Sequence, residues 1–455
     1  MTMRLAHGCN NIQMPPTNFI CNPVPDATSI RAMHGTNASE DLAPEQSGLP
    51  NGLSLLEFVA IIASIMAINA LGVDIMLPAL SNMGRDLGIA AENDQQWIIA
   101  AYMLGFGSTQ LFYGPLSDRF GRKPVVIITL ILFALAALAA AFAYDFTTII
   151  LSRVLMGTFS ASTRVLSISI VRDRFAGRQM ARITSLSFMV FLTIPIFAPS
   201  IGQGILWVSS WHAIFVFLAG FALCVACWLA WRLPETLHPE YRRSIELGVI
   251  ARGFKATVTE RYSVGYTFAA AMMFGALLGF INSAQQIFEH SFHDTERFPL
   301  IFAVIALGMG VAAWTNSRVV ERFGPRRVSH SGLIGVILIS GIHLCVALAG
   351  YENMWIFAGL QFATMACFGL GGANFGAIAM ESMGELAGTA ASAQGFCSTI
   401  LSALIGIAVG QQFNGTVVPV VAGFFVLAIV ALLVILVTEH GTLFRAYRRP
   451  VPVHA

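Results

Sequence analysis

Twelve stretches of about twenty predominantly apolar residues follow one another along this chain, and that regularity decides most of what it can become. A helix rising about 1.5 Å per residue needs about 20 such residues to cross the hydrocarbon core of a bilayer. Six stretches fall near 54–79, 95–116, 124–144, 147–170, 183–207 and 211–233. A charged connector at about 234–261 follows, and then six more stretches near 262–289, 298–319, 330–350, 353–379, 389–413 and 416–438. Hydrophobic residues make up 56% of the 455 positions and charged ones 11%. A soluble domain has roughly a quarter of its residues charged, so this chain cannot clothe a folded surface in water. The expected fold is all-α and integral to the membrane, with about 12 spans in two six-helix bundles. The expected division is a disordered cytoplasmic tail at 1–50, bundles at 51–233 and 262–438, the connector at 234–261 and a second cytoplasmic tail at 439–455.

Residues 1–50 are rich in Pro, Asn, Gly and Ser, and they lack the basic-then-apolar pattern of a secretory signal. Met33 is a possible alternative start, and the sequon at Asn37 has no use in a cytoplasmic tail. The basic residues orient the rest. With the N-terminus in the cytoplasm, twenty Lys and Arg lie on the inner side and only Arg85 and Arg297 on the outer. The positive-inside rule supports that assignment, which places the chain in a bacterial inner membrane with both termini cytoplasmic. Cys224 and Cys227 form a C-x-x-C inside an apolar run, away from the cationic surroundings that make such cysteines reactive.

An internal repeat supports the same layout. Asp118-Arg119-Phe120-Gly121-Arg122-Lys123-Pro124-Val125 aligns without gaps on Glu321-Arg322-Phe323-Gly324-Pro325-Arg326-Arg327-Val328, at an offset of 203 residues. Each run joins the second and third helix of its half. Duplicated halves with a site between them near the membrane midplane are a common transporter plan.

Charged residues inside the spans are few. Asp74 is the one acid deep in a span, and a carboxylate there marks a proton or substrate path by default. The alternative is an Asp wetted at the outer interface or a fixed ion-pair partner. Arg153, in the fourth helix, lies at about the same depth, roughly 8–9 Å below the outer boundary, so the two could pair. Arg164 follows eleven residues later and returns to nearly the same helical face. It either lines a cavity as an extra positive charge favouring anionic or zwitterionic substrates, or snorkels to the cytoplasmic interface. Uncharged and aromatic residues in the first, second, seventh and tenth helices are cavity candidates: Asn69, Tyr102, Phe106, Asn282, Gln285, Gln286, Phe362 and Asn374. Each could instead bond between helices. The chain holds no Walker A run, no H-E-x-x-H and no G-x-S-x-G, so an enzyme is not expected. Nothing implies a metal, an organic cofactor or nucleic acid.

The run Gly114-Pro115-Leu116-Ser117-Asp118-Arg119-Phe120-Gly121-Arg122-Lys123 resembles motif A of the major facilitator superfamily. Asp74-Ile75-Met76-Leu77-Pro78-Ala79-Leu80 resembles the first-helix signature of its drug:proton antiporters. Tyr113 to Asp118, Ile170-Val171-Arg172-Asp173 and Ala387 to Ala393 point the same way, to the bicyclomycin/chloramphenicol-resistance branch. The resemblance covers roughly 55–438 and implies the major facilitator fold. It also implies that the motif A residues Gly114, Asp118, Arg119, Gly121 and Arg122 latch the two halves on the cytoplasmic side; the plainer reading is a solvated basic loop. In the second copy Ser317 stands where Gly114 does. Ser152-Arg153-x-x-x-Gly157 resembles motif B, whose Arg is tied to proton transfer. Ala198-Pro199-x-x-Gly202, with Gly204, resembles the antiporter motif C, although Gln203 stands where the pattern has Gly; a merely kinked helix would need the same residues. The resemblance implies alternating access by a monomer that exchanges protons for an exported lipophilic small molecule. A proton-coupled permease for one metabolite is the nearest rival, and a non-transporting sensor would leave Asp74 and Arg153 without a use.

Overall fold

The computed structural model describes residues 53–175, 177–242, 247–383 and 387–444. The tail at 1–50, the Asn37 sequon and Arg445, Arg448 and Arg449 lie outside the described residues. Fourteen α-helices run through them: α1 Leu55–Asp74, α2 Leu80–Asp86, α3 Trp97–Phe120, α4 Arg122–Ala141, α5 Phe146–Arg174, α6 Gly177–Val208, α7 His212–Arg232, α8 Leu247–Thr259, α9 Arg261–Gln286, α10 Phe298–Phe323, α11 Pro325–Leu348, α12 Met354–Ala379, α13 Ala387–Gly410 and α14 Val418–Thr438. Twelve of these are long and stand where the apolar stretches predict them. Among the described residues ten helices are long and apolar enough to cross a membrane, and α6 contributes a shorter apolar segment, Thr193–Val208. Helix α3 has its apolar run broken by Ser108, Thr109, Gln110 and Tyr113; of these, Thr109 and Tyr113 bond to α5 and Gln110 to α13.

Local chemistry starts several of the helices. Ser54 caps α1 by accepting from the Glu57 amide, Asp145 caps α5 through the Thr148 amide, and Asn353 caps α12 through the amides of Trp355 and Ile356. Each cap occupies an amide that the first helical turn would leave without a partner. The turns before α4 and α11 use a glycine at matching repeat positions, Gly121 at φ +99 and ψ 154 and Gly324 at φ +81 and ψ 157. Side chains rarely tolerate that backbone, so the repeat extends to backbone conformation.

The packing is duplicated as well. In the first bundle α3 packs on α5, α4 on α5 and α7, and α1 on α5, α6 and α7. The second bundle has the matching set, with α10 on α12, α11 on α12 and α14, and α9 on α12, α13 and α14. Two pairs of long helices pack most extensively between the bundles, α3 with α13 and α6 with α10, and each becomes the other when the two halves are exchanged.

Two elements refine the expected layout. The first span is not continuous. Helix α1 ends at Asp74, a 3-10 turn at Leu77–Ala79 carries Pro78, and α2 continues to Asp86. Proline removes an amide donor and breaks the ladder there. The connector, read from its charges as a polar linker between the bundles, contains the helix α8. Its Gly253 and Thr257 are buried against α13, and Arg252 and Lys255 are exposed.

Small residues set how closely the helices approach. A methyl group added at Gly157 would overlap the Tyr102 carbonyl oxygen, and one at Gly105 the Val154 carbonyl oxygen, so α3 and α5 touch backbone to backbone. At Gly202 of α6 it would overlap the carbonyl oxygen of Ile75, just past the end of α1. Gly204, two residues on, has open space. Gly202→Ala is therefore expected to destabilise the protein by about 2 kcal/mol or more, the usual scale of overpacking, and Gly204→Ala by no more than about 0.5 kcal/mol. Melting of the two purified variants in detergent, followed by size-exclusion profile, separates these outcomes.

Candidate functional site

The break in the first span lies beside several of the site residues expected in the first bundle. Asp74 is the last residue of α1 and is 5% exposed. The last four carbonyls of a helix have no partner within it, and in a membrane the protein must supply one. Arg153 of α5 does so. It is fully buried, and its Nη2 donates to the Gly72 carbonyl at 2.8 Å while its Nε donates to the Ile98 carbonyl at 3.0 Å. The guanidinium also lies 4.5 Å from the centre of the Tyr102 ring, a favourable place for a cation.

The expected pairing of Asp74 with Arg153 is therefore not made in this structure. Equal depth brought the two helices' residues to one level, but the carbonyl set free by the break takes the guanidinium's donors. Among the described residues Asp74 makes no hydrogen bond or ion pair. Three of the other expected residues join Arg153 in one cluster. Tyr102 donates to Ser160 Oγ at 2.7 Å and lies 3.2 Å from Asn69 Oδ1, and Phe106 stacks beside it with centroids 6.5 Å apart. Ser160 is buried on α5 and escaped the sequence reading, because a serine among apolar residues carries no signal until its partner is known.

The remaining cavity candidates disperse. Asn374 is buried and bonds Asn316 across to α10 at 2.7 Å, so it joins two helices of one bundle. The Phe362 carbonyl lies against Gly308 of α10. Asn282 is buried beside Gly410 of α13. Arg164 is exposed, with no hydrogen bond or ion pair among the described residues.

Gln285 and Gln286 belong to a seam between the bundles, at the end that the charge pattern assigns to the cell exterior. Gln286 Nε2 donates to Asn93 Oδ1 at 3.0 Å, and its Oε1 accepts from Gln96 at 2.6 Å. Asn93 also donates to the carbonyls of Gln411 and Phe413, and Gln411 donates back to the Asn93 carbonyl at 2.8 Å. Gln285 donates to the Pro78 carbonyl and accepts from the Ser81 amide. One π-helical turn, Ile287–Ser291, carries Glu289, His290 and Ser291. From it Glu289 accepts from the Ser81 hydroxyl, His290 meets Glu92 at 2.5 Å, and Ser291 donates to the Gly415 carbonyl within its own bundle. Such turns are rare and are frequent at functional sites.

At the opposite end the ion pairs described stay within each bundle. Arg122, 3% exposed, meets Asp118 at 2.5 Å and Asp173 at 3.0 Å and bonds Ser117, while the amides of Arg122 and Lys123 donate to Glu235. Arg119 is exposed, over the Phe120 ring, and Gly114 faces Ser392 of α13 at the edge of contact. In the second bundle Arg326 meets Glu381 and Glu439, each at 2.8 Å, and Glu439 accepts from Tyr266, whose hydroxyl lies 2.9 Å from His330 Nε2. The ungapped repeat matches Arg326 to Lys123, yet Arg326 does the work of Arg122 from one position later. Glu235 and Glu439 both stand just past the last helix of their bundle. The motif A cluster thus holds one bundle's end together here and does not bridge to the other.

With this geometry the comparisons are direct. Residues 62–407 match the family model of the Major Facilitator Superfamily. The chain belongs to that superfamily, which makes it a multi-pass membrane transporter of small molecules and not an enzyme. It is 29% identical to the bicyclomycin resistance protein homolog of Haemophilus influenzae over 80% of this chain and 91% of that one. It is 26% identical to a chloramphenicol resistance protein of Pseudomonas aeruginosa over 83% and 90% of the respective chains. Among solved structures it is similar in fold to the human organic anion transporter MFSD10 (TETRAN), with TM-score 0.62 and 16% identity over 84% of this chain and 99% of that one.

Loosening the seam should release the end it closes. Gln286→Ala removes buried hydrogen bonds worth about 1 kcal/mol each, so backbone amides in 77–96 and 287–291 should exchange with deuterium about fivefold faster or more. Gln412→Ala, at an exposed neighbour, should leave those rates unchanged, and equal behaviour of the two variants would remove the seam's role.

Proposed function

We propose that the protein exports small lipophilic molecules, drugs among them, across the bacterial inner membrane in exchange for entering protons, working as a monomer by alternating access. The observation that carries this reading is the broken first span, where Asp74 sits buried and without an ionic partner at the point where Gly202 of α6 clasps the chain. A carboxyl group at that place can load and release a proton only as the surrounding helices move. Arg153 ties α5 to the same break through the Gly72 carbonyl, so a change at Asp74 is passed to two helices at once. In the topology drawn from the basic residues the sealed seam is the outer gate, and this conformation faces the cytoplasm, where a substrate for export enters. Two relatives are named for resistance to bicyclomycin and chloramphenicol, which favours export over uptake.

The cytoplasmic clusters fit the same cycle. With Arg122 held by Asp118 and Asp173 in its own bundle, the motif A ion pairs are spent within one half, as an inward-facing state requires. Outward opening would bring Gly114 and its neighbours against α13 and transfer the latch from one end to the other.

Transport by everted inner-membrane vesicles from cells lacking their major pumps tests the reading. Uptake of chloramphenicol or a fluorescent dye into respiring vesicles is expected for the wild type. It should fall to the level of protein-free membranes after collapse of the proton gradient, and with Asp74→Asn. Proton-driven movement of a metabolite in the opposite direction would replace export with uptake, and undiminished transport by Asp74→Asn would remove Asp74 from the mechanism.

A further inference from the structure

Arg164 takes no part in the contacts described so far. It lies eleven residues beyond Arg153 on α5, which returns it to within about 20° of the same face, about 16 Å further along the axis. On that face Arg153 and Ser160 are wholly buried against α1 and α3. Arg164 is exposed, and so is Ile168 one turn beyond. The exposed residues nearer the start of α5, Leu151 and Leu155, lie on roughly the opposite face of the helix. An accessible side chain on the face that packs against α1 and α3 belongs to the wall of a cleft between the helices. A face that is closed at one level and open at the next describes bundles that part toward the Arg-rich end.

The guanidinium stands there uncompensated. Among the described residues no hydrogen bond, ion pair or neighbouring carboxylate acts on it. The other deep arginines are all satisfied: Arg122 by Asp118 and Asp173, Arg326 by Glu381 and Glu439, and Arg153 by two carbonyls and the Tyr102 face. A charge at membrane depth is costly, and a lone one marks a transport path. A planar guanidinium offers paired N–H donors to a carboxylate or phosphate.

We propose that Arg164 receives the negatively charged group of the transported molecule, so that the cleft takes small organic anions and zwitterions bearing a carboxylate, sulfonate or phosphate. This rests on the exporter reading above and narrows its substrates. Arg164 is a binding residue in this assignment and has no part in proton transfer.

A matched pair of compounds tests it. Chloramphenicol is neutral and its hemisuccinate is an anion built on the same scaffold. Both are offered to everted vesicles containing equal amounts of wild type, Arg164→Gln or Arg164→Lys. Wild type is expected to move both compounds. Arg164→Gln should raise the half-saturating concentration of the hemisuccinate about tenfold or more while changing that of chloramphenicol less than about twofold, the loss expected for a charged hydrogen bond. Arg164→Lys, which keeps the charge, should restore most of the hemisuccinate transport. The proposal is overturned if wild type moves chloramphenicol and not the hemisuccinate, or if Arg164→Gln slows both compounds equally. Wild-type vesicles that move neither compound, nor any dye of the panel, overturn the exporter reading and this one with it.

Discussion

A backbone carbonyl released inside a membrane has to be met by the protein, and the arrangement of the first bundle follows from that requirement. Pro78 denies the first span its continuity, α1 stops at Asp74, and the Gly72 carbonyl of its last turn is met from another helix. Arg153 answers one of them, which draws α5 against α1 and fixes the guanidinium over Tyr102. Glycine at 105 and 157 lets α3 and α5 touch backbone to backbone, and glycine at 72 leaves room on α1 for the Tyr102 ring. Glycine at 202 lets α6 close on the break from the other side. Interhelical bonds in membranes are individually modest, so the specificity of this corner comes from several demands that one packing satisfies.

Duplication explains the rest of the architecture and also where it departs from symmetry. Helix pairings, the two glycine turns and the acid past the last helix of each half all recur. The chemistry recurs even where the alignment slips, as when Arg326 supplies from one position later the ion pairs that Arg122 supplies in the first half. What does not recur is the buried acid. Asp74 has no carboxylate counterpart in the second bundle, where the ungapped offset falls on Leu277. A symmetric scaffold thus carries an asymmetric load, with the buried, unpaired Asp74 in one half and the seam glutamines Gln285 and Gln286 on α9 in the other.

Much of this was legible in the sequence because hydropathy, glycine and proline act locally. The twelve long helices and the repeat are read from short windows, and the structure adds a helix inside the connector and a break in the first span. Pro78 signalled that break, but a hydropathy window averages over a single proline. The partners were not legible. Asp74 and Arg153 were correctly placed at one depth, yet depth alone does not say which acceptor a guanidinium takes when a free carbonyl competes with a carboxylate. Gln285 and Gln286 read as cavity residues because a buried amide has the same composition whether it faces a ligand or a second bundle. Only the position of Asn93 and Gln96, 190 or more residues away from Gln286, decides between the two.

Separation of charge along α5 constrains how coupling could work. Arg153 and the break at Asp74 lie near the sealed end, and Arg164 lies about 16 Å further in, where the face of the helix opens. A substrate held at Arg164 therefore does not compete with a proton for the same carboxyl group. Coupling would have to pass through the packing of α1, α5 and α6, which meet at the break, with proton occupancy at one end of α5 and substrate occupancy at the other biasing the same two-state movement. By linkage, each ligand then changes the affinity for the other through the conformation they share, with no contact between them. The uncompensated cation and the unpaired acid would, in that arrangement, act on one movement from two levels, with Arg153 tying α5 to the break at the level of Asp74.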